Sequence, residues 1–142
     1  PHECSSAASD VYKRQKYTKR HTGPAWPASR TLKERVGSCR DLAMLMVEAC
    51  RSVGIPSRFV SGYHFEDPLQ NEFDLHAWAE LYIPGAGWRG FDPSGKGLID
   101  ERYLTLVSSS KSNLTAVITG NFRGKTNLKN NFSWEIKPLE IK

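Results

Sequence analysis

Between Cys39 and Val53 the apolar residues Leu42, Ala43, Met46, Ala49, Cys50 and Val53 recur at the spacing of one helix face. Ser38 suits the N-cap ahead of that run, Gly54 suits the stop behind it, and Pro56 stands just beyond. The spacing predicts one amphipathic helix with Cys39 in its first turn. Beyond it the period shortens to two. Ser57 to Tyr63, with Phe59 and Val60, reads as a strand. Residues 64–74 hold Asp67-Pro68 and Asn71 and read as a loop. From His76 to Ile83 the alternation is clean: His76, Trp78, Glu80 and Tyr82 share one face, and Ala77, Ala79, Leu81 and Ile83 the other. Pro84-Gly85-Ala86-Gly87 is a turn, so Trp88 to Asp92 should return as the second arm of a hairpin. Tyr103–Val107, Ala116–Phe122 and Phe132–Ile136 are further strand candidates. Residues 16–35 are polar and interrupted by Gly23, Pro24 and Pro27; they read as an irregular lead-in with Trp26 as a packing anchor. One dominant helix followed by a mostly antiparallel sheet is an α+β pattern.

Size and composition narrow the class. A chain of 142 residues fits one domain. Its longest unbroken apolar stretches, such as Leu42 to Val47, are far short of the ~20 residues a membrane-crossing helix needs. Three scattered cysteines are too few for a disulfide scaffold or a four-ligand zinc site, so a reducing, cytoplasmic setting is the default. The net charge of +5 sits in the flanks: residues 16–35 carry +5 and residues 121–142 carry +3, while residues 36–120 carry −3. A basic stripe interleaved with aromatics would mark a nucleic-acid surface, and this distribution does not supply one. The expected partner is a protein or peptide substrate, with no nucleic acid and no membrane; the oligomeric state stays open. Residues 1–15 show no helical or strand period, and Asp10-Val11-Tyr12-Lys13-Arg14-Gln15 resembles a translated sequencing-library adapter. They are read as such a scar, or else as a disordered tail. Residues 16–142 are then the functional domain, with its natural N-terminus missing.

The candidate chemistry rests on a thiol, an imidazole and a carboxylate. A helix start carries about half a positive charge and unsatisfied N–H groups, which favour a thiolate at Cys39 and can receive an oxyanion. Cys50 lies on the apolar helix face and reads as a small core residue. A thiolate nucleophile needs a base, and the base an orienting group. Of the four histidines, His2 lies in the suspected scar, His21 in the lead-in, and His64 after a strand, where it reads as surface. His76 opens a strand, and Asp92 closes the neighbouring one, so the two can meet side by side. Taken singly, His76 would be a satisfied structural histidine and Asp92-Pro93-Ser94 a turn initiator. Trp78 and Trp88 read as half-buried sheet aromatics rather than cleft walls. Arg40 and Asp41 read as a local surface pair contributing about 0–1 kcal/mol. No acidic loop has calcium-ligand spacing. A zinc site using Cys39 and Cys50 fails because eleven helical residues separate them by about 16 Å. No cofactor is expected.

Together the runs GSCRDLAMLMVEACRSVGIPSRFVSGY and HAWAELYIPGAGWRGFDPS resemble the transglutaminase-like superfamily of cysteine enzymes, over roughly residues 24–107. Its three motifs appear in the family's order, with His76 37 residues after Cys39 and Asp92 16 residues after His76. The resemblance implies a papain-like core and a catalytic set of Cys39 as nucleophile, His76 as base and Asp92 as its orienting carboxylate. It implies attack on an amide bond, either a glutamine side chain or a peptide bond, through a thioester. Hydrolysis is expected ahead of cross-linking to an amine. The alternative is a non-catalytic interaction domain on the same fold.

Overall fold

The structure is a computed structural model and describes residues 14–67, 72–95, 97–120 and 123–124. In chain order the elements are strand β1 (Lys16–Tyr17), helix α1 (Ala28–Glu34), β2 (Val36–Gly37), helix α2 (Cys39–Ser52), β3 (Ser57–Asp67), β4 (Glu72–Ile83), β5 (Gly87–Asp92), β6 (Gly97–Leu98) and β7 (Tyr103–Ser109), then a single 3-10 turn, Ser112–Leu114. Strands β3 to β7 form one antiparallel sheet in the order β6-β5-β4-β3-β7. Strands β1 and β2 form a separate two-residue parallel pair. This is the α+β architecture, with one main helix on an antiparallel sheet, that the sequence predicts.

Helix α2 begins and ends where its signals lie. Ser38 is its N-cap, and the Asp41 carboxylate reaches back to accept the Ser38 N–H at 2.9 Å. Gly54 takes φ +80°, a left-handed conformation that costs glycine nothing and stops the helix. The apolar face of α2 packs Ala43, Met46, Val47 and Cys50 against Phe59, Ala77, Ala79 and Leu81 of β3 and β4. The register Phe59↔Ala79 and Ser61↔Ala77 puts those strand residues on one face, as the alternation requires. Each large apolar side chain buried there stabilises the fold by about 1.5–3 kcal/mol.

The opposite face is also buried, because the sheet curls. Val60 and Trp78 lie on it and are both fully buried. Tyr103 of β7 touches Asp92 of β5, although β4 and β3 lie between those strands. Three strand spacings in a flat sheet amount to roughly 14 Å, more than two side chains meeting here can span. The sheet is therefore a partial barrel whose interior holds Val60, His64, His76, Trp78, Asp92 and Tyr103. Gly62 permits this: a Cβ there would lie 2.0 Å from the Leu104 carbonyl oxygen and 2.6 Å from the Trp78 ring.

Several expectations are corrected. The lead-in contains α1, because Pro27 sits at the helix N-cap, where its missing N–H costs nothing and its fixed φ suits a helix start. Residues 64–67 and 72–74 are strand rather than loop; the β3–β4 ladder runs on through them by backbone pairing, which polar side chains do not prevent. Residues 116–120 are not strand; Ala116 and Val117 lie against a cleft instead. The candidate at Phe132–Ile136, and residues 121–122 and 1–13, lie outside the described residues.

Candidate active site

Cys39 is the first residue of α2. The first intrahelical bonds run from the Asp41 and Leu42 N–H groups to the Ser38 carbonyl, so the N–H groups of Cys39 and Arg40 precede the ladder and stand at the positive end of the helix. Asp41, fully buried one turn in, fixes this end. Its carboxylate accepts the Ser38 N–H and hydroxyl, the Trp26 N–H at 2.8 Å, and Arg20 through Nε at 3.3 Å and a second guanidinium nitrogen at 2.5 Å. Burial raises the Asp41 pKa, but these donors outweigh it and hold the carboxyl below its usual range. The expected Arg40–Asp41 surface pair is thus replaced. Asp41 is in the interior, and Arg40 instead donates to the carbonyls of Arg20 and Thr22. Both arginines lash residues 20–26 across the start of α2. Trp26 anchors that strap, with the Arg20 and Arg30 guanidinium groups 4.9 and 3.8 Å from its ring centre.

His76 on β4 and Asp92 at the end of β5 meet as the hairpin predicts, with Nε2 2.7 Å from Asp92 Oδ2. That contact leaves Nδ1 for the other partner of the imidazole, the Cys39 side chain. The His76 side chain is 10% exposed. Burial alone would lower its pKa. The hydrogen bonds to Asp92 and Cys39, and the charges of both, overcome that and raise it to about 9. Asp92 is lowered for the matching reason: burial raises it, and the hydrogen bond and charge of His76, with two donors from Ser94, pull it further down.

The Asp92 carboxylate is held by four donors. Oδ1 accepts the Ser94 N–H at 2.9 Å and the Ser94 hydroxyl at 2.7 Å, and Oδ2 accepts the Tyr103 hydroxyl at 2.9 Å besides His76. One carboxylate therefore closes the Asp92-Pro93-Ser94 turn and accepts from His76. Of these donors, Ser94 belongs to the Asp-Pro-Ser turn that the sequence signals, whereas nothing local in the sequence marks Tyr103. His64, expected at the surface, is buried because the sheet curls over it. Its ring is 4.5 Å from that of Tyr103 and 5.6 Å from that of His76. Trp78 lies beneath His76, its ring near-parallel at 6.5 Å. Trp88 is away from the site, edge-on to Tyr82 and covered by Arg58.

Cys39 and His76 open onto a cleft of about 480 Å³. Gly23, Pro24 and Ala25 of the strap form one wall, and residues 112–117 contribute Thr115, Ala116 and Val117 to another. Among the described residues no group of three His, Cys, Asp or Glu side chains is placed to hold a metal ion. The arrangement provides a thiol at a helix start, an imidazole able to carry a proton above neutral pH, and a carboxylate fixed behind it.

A family profile described as Transglutaminase-like superfamily matches residues 3–93. An uncharacterised protein of Mycobacterium tuberculosis is 30% identical over 109 residues, covering 70% of this chain and 35% of the relative. A protein-glutamine gamma-glutamyltransferase of Pseudomonas aeruginosa is 37% identical over 67 residues, 42% of this chain and 10% of that protein. Among solved structures, one from Cytophaga hutchinsonii, described as a "Putative Cysteine Protease", superposes with a TM-score of 0.66 at 29% identity, over 81% of this chain and 38% of that one. The periplasmic domain of TgpA from Pseudomonas aeruginosa superposes with a TM-score of 0.50 at 29% identity, over 66% and 38% respectively. The chain thus spans about a third of the length of the first relatives it matches.

Proposed function

The chain belongs to the transglutaminase-like superfamily and has its papain-like fold, and on that footing we propose that it is a thiol enzyme acting on amide bonds of proteins or peptides. The observation that carries the reading is the position of His76, whose Nε2 is bound to Asp92 and whose other face meets the Cys39 side chain at a helix start. The resting site is then a Cys39 thiolate beside a His76 imidazolium. The thiolate sulfur bonds to the amide carbonyl carbon, and the oxyanion that forms is received by the Cys39 backbone N–H. The intermediate collapses as the C–N bond breaks and the His76 Nδ1 proton goes to the departing amine or ammonia. A thioester remains on Cys39. Water then attacks it, losing a proton to the now neutral His76, and the thiolate leaves with release of the carboxylic acid. Asp92 keeps the imidazole in the one orientation that serves both halves.

Hydrolysis is favoured by analogy with the Cytophaga protein, which is matched over most of this chain. A second outcome, resolution of the thioester by an amine, is favoured by the shorter but closer match to the glutamyltransferase. The test is mass spectrometry of the full chain with glutamine-containing peptides, in 18O-water and with a primary amine present. An acyl adduct on Cys39, absent from Cys39→Ala and His76→Ala, is the expected result. Label entering the product acid marks hydrolysis, and amine entering it marks transamidation. No adduct, with the same binding in wild type and Cys39→Ala, would replace the enzyme with an interaction domain.

A further inference from the structure

We propose that Tyr103 is a positioning residue of this site: its hydroxyl fixes the rotation of the Asp92 carboxylate and shares Oδ2 with His76. The proposal rests on the reading of Cys39, His76 and Asp92 given above. A carboxylate offers about four lone-pair directions. In Asp92 all four are used, two by Ser94 on Oδ1 and one each by His76 and Tyr103 on Oδ2. Ser94 alone leaves the Oδ2 end steered only by the group it is meant to steer. Tyr103 supplies an independent anchor there, from a strand on the far side of the curled sheet.

The anchor is itself rigid. The Tyr103 ring stands edge-on to Trp78 at 5.3 Å and 77°, and lies 4.5 Å from His64. Tyr103 pairs with His64 in the β3–β7 ladder. Burial and the negative charge of Asp92 raise the Tyr103 pKa above its ordinary value, so the phenol stays protonated and donates. Among the described residues, titratable and charged groups face the site from several elements: Tyr17 of β1 faces Cys39 and Asp92, beside Arg40 and Asp74. His76 faces Cys39, Asp92, Tyr103 and His64, and Tyr103 faces Asp92, His64, His76 and the Asp100–Arg102 ion pair. A second donor on Oδ2 also weakens the pull of that oxygen on the His76 proton. That leaves the imidazolium a better acid toward a departing amine.

The test is a histidine NMR titration of the full chain, with His76 assigned through His76→Gln. Three proteins are compared: wild type, Tyr103→Phe, and the chain carrying 3-fluorotyrosine at position 103. Wild-type His76 should titrate near 9. Removing the hydroxyl while keeping the ring should raise that midpoint by about half a pH unit, since one charge-assisted donor on Oδ2 is lost. The fluorinated phenol, a stronger donor, should lower it. A ring needed only for packing would leave the midpoint in place in both variants, and that result overturns the proposal while the wild-type value upholds the site. Wild-type His76 titrating near its ordinary value would overturn the site reading itself. If the Phe variant does not fold, the fluorotyrosine protein decides alone.

Discussion

Asp92→Asn keeps the size of the orienting side chain and removes its charge. Two amide orientations are available, and neither restores the charge. With the amide nitrogen toward His76 and Tyr103, the phenol can rotate to accept, but His76 can accept at Nε2 only by giving up its proton there. With the nitrogen toward Ser94, the hydroxyl can rotate to accept, the Ser94 N–H is left facing a donor, and His76 keeps only a neutral acceptor. Burial is the largest influence on His76, and in both orientations the opposing charge of Asp92 is gone. The His76 pKa should fall from about 9 to 6.5 or below. A fall to 6.5 alone is worth about 3 kcal/mol, a roughly 300-fold loss of the protonated imidazole's advantage. The assay is alkylation of Cys39 by iodoacetamide as a function of pH, with peptide mapping to separate it from Cys4 and Cys50, beside the His76 titration. An ordinary thiol is only about 3% thiolate at pH 7, so the rate there in the Asn variant should drop by up to about 30-fold. If His76 in that variant still titrates within half a unit of wild type, the charge of Asp92 is not what holds the imidazolium, and the account fails.

Other perturbations probe the supports of the site. In the wild type the raised His76 pKa contributes stability that is fully present below about 6.5 and is lost as pH rises through about 9. The lowered Asp92 and Asp41 contribute stability present above about 4 and lost as pH falls through their folded values. Urea midpoints should therefore fall on both sides of neutrality, and a midpoint still climbing beyond pH 9 would contradict the sign. Asp41→Ala leaves Arg20, the Trp26 N–H and the Ser38 N–H without their shared acceptor, and should destabilise by about 3–5 kcal/mol in urea unfolding; less than 1 kcal/mol would mean the carboxylate is not a buried hub. Gly62→Ala should destabilise by about 3 kcal/mol or more, because the new methyl meets the Leu104 carbonyl rather than a movable side chain. Its His76 titration should broaden as Trp78 is displaced, and an unchanged melt would refute the tight approach of β7.

What the sequence showed of this site is local, and what it hid is not. Cys39 announced itself through Ser38, Gly54 and the apolar period between them, all within one helix. His76 and Asp92 could be paired because a hairpin joins adjacent strands and side chains alternate across them. Helix α1 escaped because seven mostly polar residues span under two turns, with Thr31 its one buried residue. The Asp41 hub escaped because its acceptor and Arg20 are 21 residues apart, joined through a strap with no period of its own. Tyr103 escaped for a deeper reason. Its partner is three strands away in sheet order, and the two meet only because the sheet curls, which depends on a glycine whose neighbours no pattern in the chain names. The family match ends at residue 93, and Tyr103 lies beyond it. The residues that would perform the chemistry are thus fixed by short-range geometry, while those that set their angles and proton affinities are fixed by curvature. A single methyl at Gly62, meeting Trp78 and the Leu104 carbonyl, can therefore disturb His76 without replacing Cys39, His76 or Asp92.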